Sequence, residues 1–398
     1  MLIGIIISLL LGILAGAFTG LMPGIHINLV GVLLVSLSAS LFRNINPVYL
    51  VVFIASMSIA HTFVDFIPSI FLGCPDTDTG LSILPGHELL KQGKGYEAVM
   101  LTSKGGLVSV FVLILVSFPL AFLISKIYDA IHSVMFYILL ATFLLLILAE
   151  KKKFTALFVF IVSGLLGLSV LNSGVSEPLF PMLTGLFGTS MLVISIREKI
   201  QIPQQEITKP KINFFKPVLG AIIASPLCGF LPGLGSGQAA VLGSAVSKTD
   251  NKGFLVLIGA VNILVMGLSF VSLYAISKTR TGSAAAIQEI IGVLSWKVLI
   301  IILLAVLISG IVSFFLTGFL VRKFSQLISH VNYTKLSMAI IILLTILVFV
   351  FSGFLGLLIL AASTFTGVYC NSLAVKKTHM MGCLLIPTIL FYFLEIIY

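Results

Sequence analysis

The chain has 398 residues, 59% hydrophobic and 9% charged, with a net charge of +10 and a mean hydropathy of +1.23. Soluble domains carry roughly 25% charged residues, so a water-soluble enzyme or binding module is excluded. The basic balance does not point to nucleic acid: the cations are short caps between apolar runs, with no aromatic-interleaved patch to follow a phosphate backbone.

The chain opens on the apolar run 2–42, which lacks the basic start and cleavage site of a signal peptide and reads as a retained membrane segment. It is interrupted at Gly20-Leu21-Met22-Pro23-Gly24-Ile25, followed by His26 and Asn28. Proline removes a backbone donor and glycine permits positive φ, and backbone groups freed in this way are tolerated in hydrocarbon only where they line a cavity or are buried in protein. Run 47–72 follows, with His61 and Asp65 one turn apart on the same face. Ionisable groups at membrane depth are costly and usually face a cavity or a partner, so this pair is a candidate for a coupling proton or Na⁺, against a purely structural role within the bundle.

The polar loop from Leu72 to Gly80 carries Asp76, Thr77, Asp78 and Thr79, which suit a gate or ion site or, more plainly, the cap of the helix after them. Apolar runs 104–124, 134–149, 154–171 and 179–196 complete the first half, and the hydrophilic stretch 197–216 reads as a linker. The second half repeats the plan with 217–247 (interrupted), 254–276, 298–320, 337–351, 353–375 and 380–396. Its interruption, Gly229-Phe230-Leu231-Pro232-Gly233-Leu234-Gly235-Ser236-Gly237-Gln238, matches the first and forms a backbone nest opening a short helix. N–H groups at a positive helix end suit a carboxylate or phosphate, and Ser236 and Gln238 add donors. Asn262 lies in mid-span, as a polar contact or as glue between helices.

These features predict an all-α polytopic membrane protein of two inverted-topology repeats, 1–196 and 217–398, joined by the linker 197–216. Each repeat has one Pro-Gly-interrupted re-entrant hairpin (1–42, 217–247) and five transmembrane helices. Reading each interrupted run as one broken crossing helix is the alternative, but it spoils the charge partition. With hairpins, only Arg43, Lys126, Lys278, Arg280 and Lys297 of the 23 cations fall on one face. The crowded face is then cytoplasmic, together with the linker, and both termini lie outside. Cys74, Cys228, Cys370 and Cys383 lack CxxC spacing and read as packing residues.

The Gly-x-x-Pro-Gly hairpin, the segment Pro75-x-Thr77-x-Thr79 with Leu84-Pro85-Gly86-His87 through Gly93-Lys94 to Ala98, and the second Pro-Gly-Leu-Gly hairpin together resemble the TctA family, the large membrane subunit of tripartite tricarboxylate transporters. The likeness covers both halves; this chain is compact, like the archaeal-type relatives, with His26, Asn28 and Asp76 where glycine is usual. The resemblance implies an ion-energised carboxylate permease fed by a binding protein, with Pro23, Gly24, Pro232, Gly233, Gly235, Thr77 and Thr79 near the substrate route.

The reading is therefore an ion-coupled secondary transporter of a small organic anion in the cell membrane. Substrate residues are Pro23, Gly24, His26, Asn28, Thr77, Thr79, Pro232, Gly233, Gly235, Ser236 and Gln238; ion-coupling residues are Asp65, His61, Asp76 and Asn262. No catalytic or metal set is expected, and no cofactor beyond a coupling Na⁺ or H⁺. Partners are the small anion, membrane lipids and, as open alternatives, a second copy of the chain, a small membrane subunit or a solute-binding protein. A polyprenyl-phosphate translocase of the same fold, with Arg43 and Arg280 near the headgroup, is the runner-up. An intramembrane enzyme using His26, His61 and Asp65 ranks below both, for want of a nucleophile or complete metal set.

Overall fold

The computed structural model describes residues 2–22, 45–73, 79–148, 150–175, 178–199, 202–208, 210, 213–230, 235–328, 332–373, 375 and 377–397. Among these there is no strand. The helices are α1 (Leu2–Leu21), α2 (Pro47–Leu72), α3 (Ile83–Lys91), α4 (Gly95–Ser133), α5 (Met135–Leu148), α6 (Lys153–Leu171) and α7 (Leu179–Arg197). They continue as α8 (Phe215–Phe230), α9 (Ser236–Ser247), α10 (Asn251–Ile276), α11 (Gly282–Ile291), α12 (Trp296–Ile328), α13 (Tyr333–Ser372) and α14 (Gly382–Ile397). Eight of these are long and apolar enough to cross a membrane.

The chain folds as two compact units, each drawing on both halves of the sequence. One takes Met1–Ile67, Glu97–Tyr128 and Lys209–Lys323; the other takes Pro68–Tyr96, Asp129–Thr208 and Phe324–Tyr398.

In the first unit α2 and α10 are central and almost wholly buried, whereas α1 is largely exposed and turns Ile3, Ile7, Leu10, Leu14 and Phe18 outward. Small residues decide which face of α1 packs. Lipid is as apolar as leucine, so helices in it associate by close backbone approach at glycine. Gly12, Gly16 and Gly20 form such a stripe: a Cβ there would lie 2.5 Å from Phe53 O, 2.2 Å from Met57 O and 3.0 Å from His61 O. Contacts that advance together along both helices make α1 and α2 parallel.

The second interrupted run is laid out differently from a single crossing helix. Gly220 of α8 and Gly243 of α9, eleven residues before and nine residues after 231–234 in the sequence, face each other; a Cβ on Gly220 would meet Gly243 O at 2.6 Å. The two arms therefore run antiparallel. Farther along α8, Gly229 lies against Leu268 of α10, where a Cβ would come 2.8 Å from Leu268 Cβ. Helix α4 runs along α10 through Gly105 and Gly259, whose Cβ atoms would lie 2.1 Å from Val256 O and Thr102 O. It runs against α12, with Gly310 on Val110 and Gly318 beside Met100.

In the second unit, α6 and α14 pack through Gly164, Gly167 and Gly382, which meet Ile386, Cys383 O and Phe160 O. Helix α7 contains a π-helical stretch, Thr184–Thr189, packed on α13 through Gly185 and Gly367. Helix α13 turns at Gly353 (φ 64°, ψ −161°), the boundary between the expected spans 337–351 and 353–375. Cys228, Cys370 and Cys383 are buried and free, as packing residues are; Cys74 lies outside the described residues.

Candidate functional site

The site begins with α2. Pro68 lacks the N–H that would bond Val64 O and its ring crowds that carbonyl, so regular helix breaks off after Val64 and resumes at Phe66. Asp65 occupies the break, held by its own N–H to His61 O at 2.9 Å, and is 5% exposed. His61, 4% exposed, places its Nδ1 3.0 Å from Thr19 Oγ1 of α1. The glycine stripe sets that contact, because only a backbone-to-backbone approach brings so short a side chain within reach. Thr19 also donates to Gly16 O at 3.2 Å. Ser58 and Thr62 bond back to Ile54 O and Ser58 O, so polar groups recur on successive turns of α2.

Helices from the second half complete the surroundings. α2 packs against α10 and α11, and Ser58 Oγ lies 2.6 Å from Ser283 Oγ. Asn262 is buried in the middle of α10. Ser269 Oγ lies 3.0 Å from Thr281 Oγ1, and Thr281 caps α11 by accepting from Ala284 N–H. At the start of α9, Gly235 has extended backbone (φ −121°, ψ −175°) and donates its N–H to Gln238 Oε1 at 3.0 Å. Gln238 thus stiffens the helix start through one end of its amide and leaves Nε2 as the donor. Ser236 is buried beside it.

Thr79 repeats the Thr281 arrangement in the second unit. Its Oγ1 lies 2.6 Å from Ser69 Oγ on the long helix before it, and its carbonyl accepts from Ser82 N–H at 2.8 Å. In each half, the threonine of a Thr-Gly pair ties a short helix to the preceding long one. Pro23, Gly24, His26, Asn28, Asp76, Thr77, Pro232 and Gly233 lie outside the described residues. No group of three or more His, Cys, Asp or Glu that could hold a metal occurs among the described residues.

The block from Leu84 to Ala98 is a fastening. His87 Nδ1 lies 3.0 Å from Ile70 O and its Nε2 2.8 Å from Tyr333 Oη; a Nδ1–H tautomer serves both contacts. Gly93 (φ 79°) ends α3 in a Schellman motif, with Gly93 N–H on Leu90 O and Lys94 N–H on Leu89 O. The linker docks on that turn. Gln205 accepts from Gly95 N–H at 2.8 Å and donates to Leu90 O at 3.1 Å, and Glu206 N–H donates to Gly93 O at 2.7 Å. Sequence reasoning passed over Thr19, Ser58, Ser283 and Gln205. Only a glutamine within a proline-punctuated polar stretch hinted at the last of these.

A helical chain carrying eight membrane-length apolar helices, with ionisable and polar groups buried in its most enclosed spans, is a multi-pass membrane protein of the transporter type. The model of the tripartite tricarboxylate transporter TctA family matches residues 6–382, and the chain belongs to that family. An uncharacterized protein of Methanocaldococcus jannaschii is 31% identical over 384 residues, covering 94% of this chain and 95% of the relative. No solved structure matches.

Proposed function

We propose that this protein is an ion-coupled secondary transporter of a small organic anion of di- or tricarboxylate type, bound between two Pro-Gly tips near the membrane midplane. One observation carries the reading. In the first unit each helix leading to a Pro-Gly break (α1, α8) packs on the long helix of its own half (α2, α10), with a glycine three residues before the proline against it (Gly20 on Val64 and Asp65, Gly229 on Leu268). Two such breaks around buried polar spans suit inverted repeats, 1–196 and 217–398, that exchange conformations to give alternating access. At 1.5 Å per residue, the 16-residue α8 and 12-residue α9 fall short of a bilayer core of about 30 Å, which suits a re-entrant hairpin.

Asp65 and His61 are the groups we assign to ion coupling, since a carboxylate and an imidazole at this depth can exchange a proton or help hold Na⁺. The anion lies at the amide groups of the second tip, with Ser236 and Gln238, and at His26 and Asn28 of the first. The family's tripartite name suggests a small membrane subunit and a solute-binding protein as partners.

Uptake of labelled citrate and succinate into proteoliposomes, with imposed Na⁺ or proton gradients, tests this. Gradient-driven accumulation is expected, together with at least a tenfold loss in Asp65→Asn while solute exchange at equal concentrations persists. Uptake indifferent to both gradients would remove the coupling, and failure to move any di- or tricarboxylate would remove the substrate class.

A further inference from the structure

The first unit sorts its cations by end. Helix α4 runs with α10 and against α12, so Lys126, Lys278, Arg280 and Lys297 share one end, while Lys104, Lys252, Arg322 and Lys323 share the other. At the crowded end Lys252 has a carboxylate, with its Nζ 2.6 Å from Glu97 Oε1. At the sparse end the pairing is of another kind. Lys278 Nζ lies 3.2 Å from Tyr128 Oη and 4.8 Å from the centre of its ring, and Arg280 Nη2 lies 3.3 Å from the same Oη.

These cations are held in place. Ser277 leaves α10 in the left-handed region (φ 53°), Ser272 Oγ donates to Lys278 O at 3.0 Å, and Arg280 N–H donates to Ser269 Oγ at 3.3 Å. Tyr128 is buried at the end of unit 1's stretch of α4. Neither cation has a carboxylate within 4.0 Å among the described residues, and Glu289, the acidic residue of the neighbouring α11, is exposed. Arg280 Nε is buried and donates to no acceptor among the described residues. Nε and Nη2 form one edge of the guanidinium, the edge that grips an oxyanion with two parallel hydrogen bonds. Here one donor of that edge meets the Tyr128 hydroxyl and the other meets no acceptor among the described residues.

Two positive charges gathered on one neutral hydroxyl repel each other, and an anion between them removes that repulsion and supplies the missing acceptor. We propose that Lys278, Arg280 and Tyr128 form an oxyanion-binding station at the mouth of the transporter, taking the carboxylate or phosphate group of the solute before it reaches the tips. The station rests on the proposed reading that the cargo is an anion. Its chemistry is bidentate recognition by Arg280 over its Nε–Nη2 edge and a long-range attraction from Lys278, with Tyr128 holding the two cations side by side.

Trp296, the chain's single tryptophan, begins α12 at this same end and is 54% exposed, with Lys297 over its ring. Its fluorescence in the purified full chain is the readout. Titration with citrate and with inorganic phosphate is expected to give a saturable change. That change should weaken at least tenfold in a Lys278→Gln/Arg280→Gln double variant and two- to fivefold in Lys278→Gln alone, an exposed position that leaves the fold intact. Transport by Lys278→Gln should show a raised KM at unchanged maximal rate. Gln238→Ala, at the second tip, should lose transport and keep the Trp296 response.

A double variant or a Lys278→Gln variant that titrates like wild type overturns the station; if Gln238→Ala still stops uptake, the transporter reading stands without it. A response confined to nanodiscs containing polyprenyl phosphate keeps the oxyanion station and overturns the soluble-anion cargo. No response from the wild-type protein to any of these anions removes the station.

Discussion

Single glycines decide how closely the helices of the first unit approach. At Gly16 the nearest atom to an added Cβ is Met57 O at 2.2 Å, and at Gly105 it is Val256 O at 2.1 Å. Both are backbone atoms that no rotamer change can move. Overpacking of this kind costs about 1–3 kcal/mol or more where a helix must shift. Gly16→Val should therefore lower the melting temperature of the purified protein markedly and separate Thr19 from His61; Gly174→Val, where an added Cβ meets nothing within 4 Å, tests only the left-handed backbone (φ 70°) and should cost less. Equal stability losses in the two variants would contradict the close-packing account.

At the scale of elements, the linker is part of the fold. Gln205 is buried and serves both the end of α3 and the start of α4. Truncating it leaves Gly95 N–H and Leu90 O without that partner, at about 1–3 kcal/mol for each buried group. In Gln205→Ala, tryptic cleavage after the exposed Lys199 should quicken severalfold as the strap loosens; an unchanged rate would mean that the backbone pair Glu206–Gly93 holds the linker alone. The strap also explains the most specific stretch of the sequence. Gly86 lies 2.6 Å from Ile70 Cγ1 where a Cβ would be, Gly93 needs positive φ, and Gly95 has no room for a side chain beside Gln205 and Leu90.

At the scale of the whole molecule, charge sorting predicts orientation. The positive-inside rule puts the Arg322 end in the cytoplasm. With the native cysteines replaced, Lys297→Cys should react with a membrane-impermeant maleimide in intact cells, and Arg322→Cys only after permeabilisation. The reverse pattern would invert the topology. The two compact units cut across the sequence halves: α2 and α12 each begin in the first unit and end in the second, and α4 has its middle in the first unit and both its ends in the second.

The sequence by itself determined the solvent and the punctuation of this protein. Hydropathy is summed over twenty residues and needs no partner, so the membrane class, the family and the break at Gly353 could be read directly. Pro68 and the Gly93 cap also act through their own neighbours, although their consequences at Asp65 and for the linker were not evident. Tertiary structure alone decided which polar groups meet. Thr19 reaches His61 because a glycine stripe lets two helices touch; Ser58 meets Ser283 across 225 positions; and Lys278 and Arg280 converge on Tyr128. A hydroxyl or a cation has no periodicity that reveals its partner, and in a bundle of near-uniform apolar helices only packing chooses the neighbour.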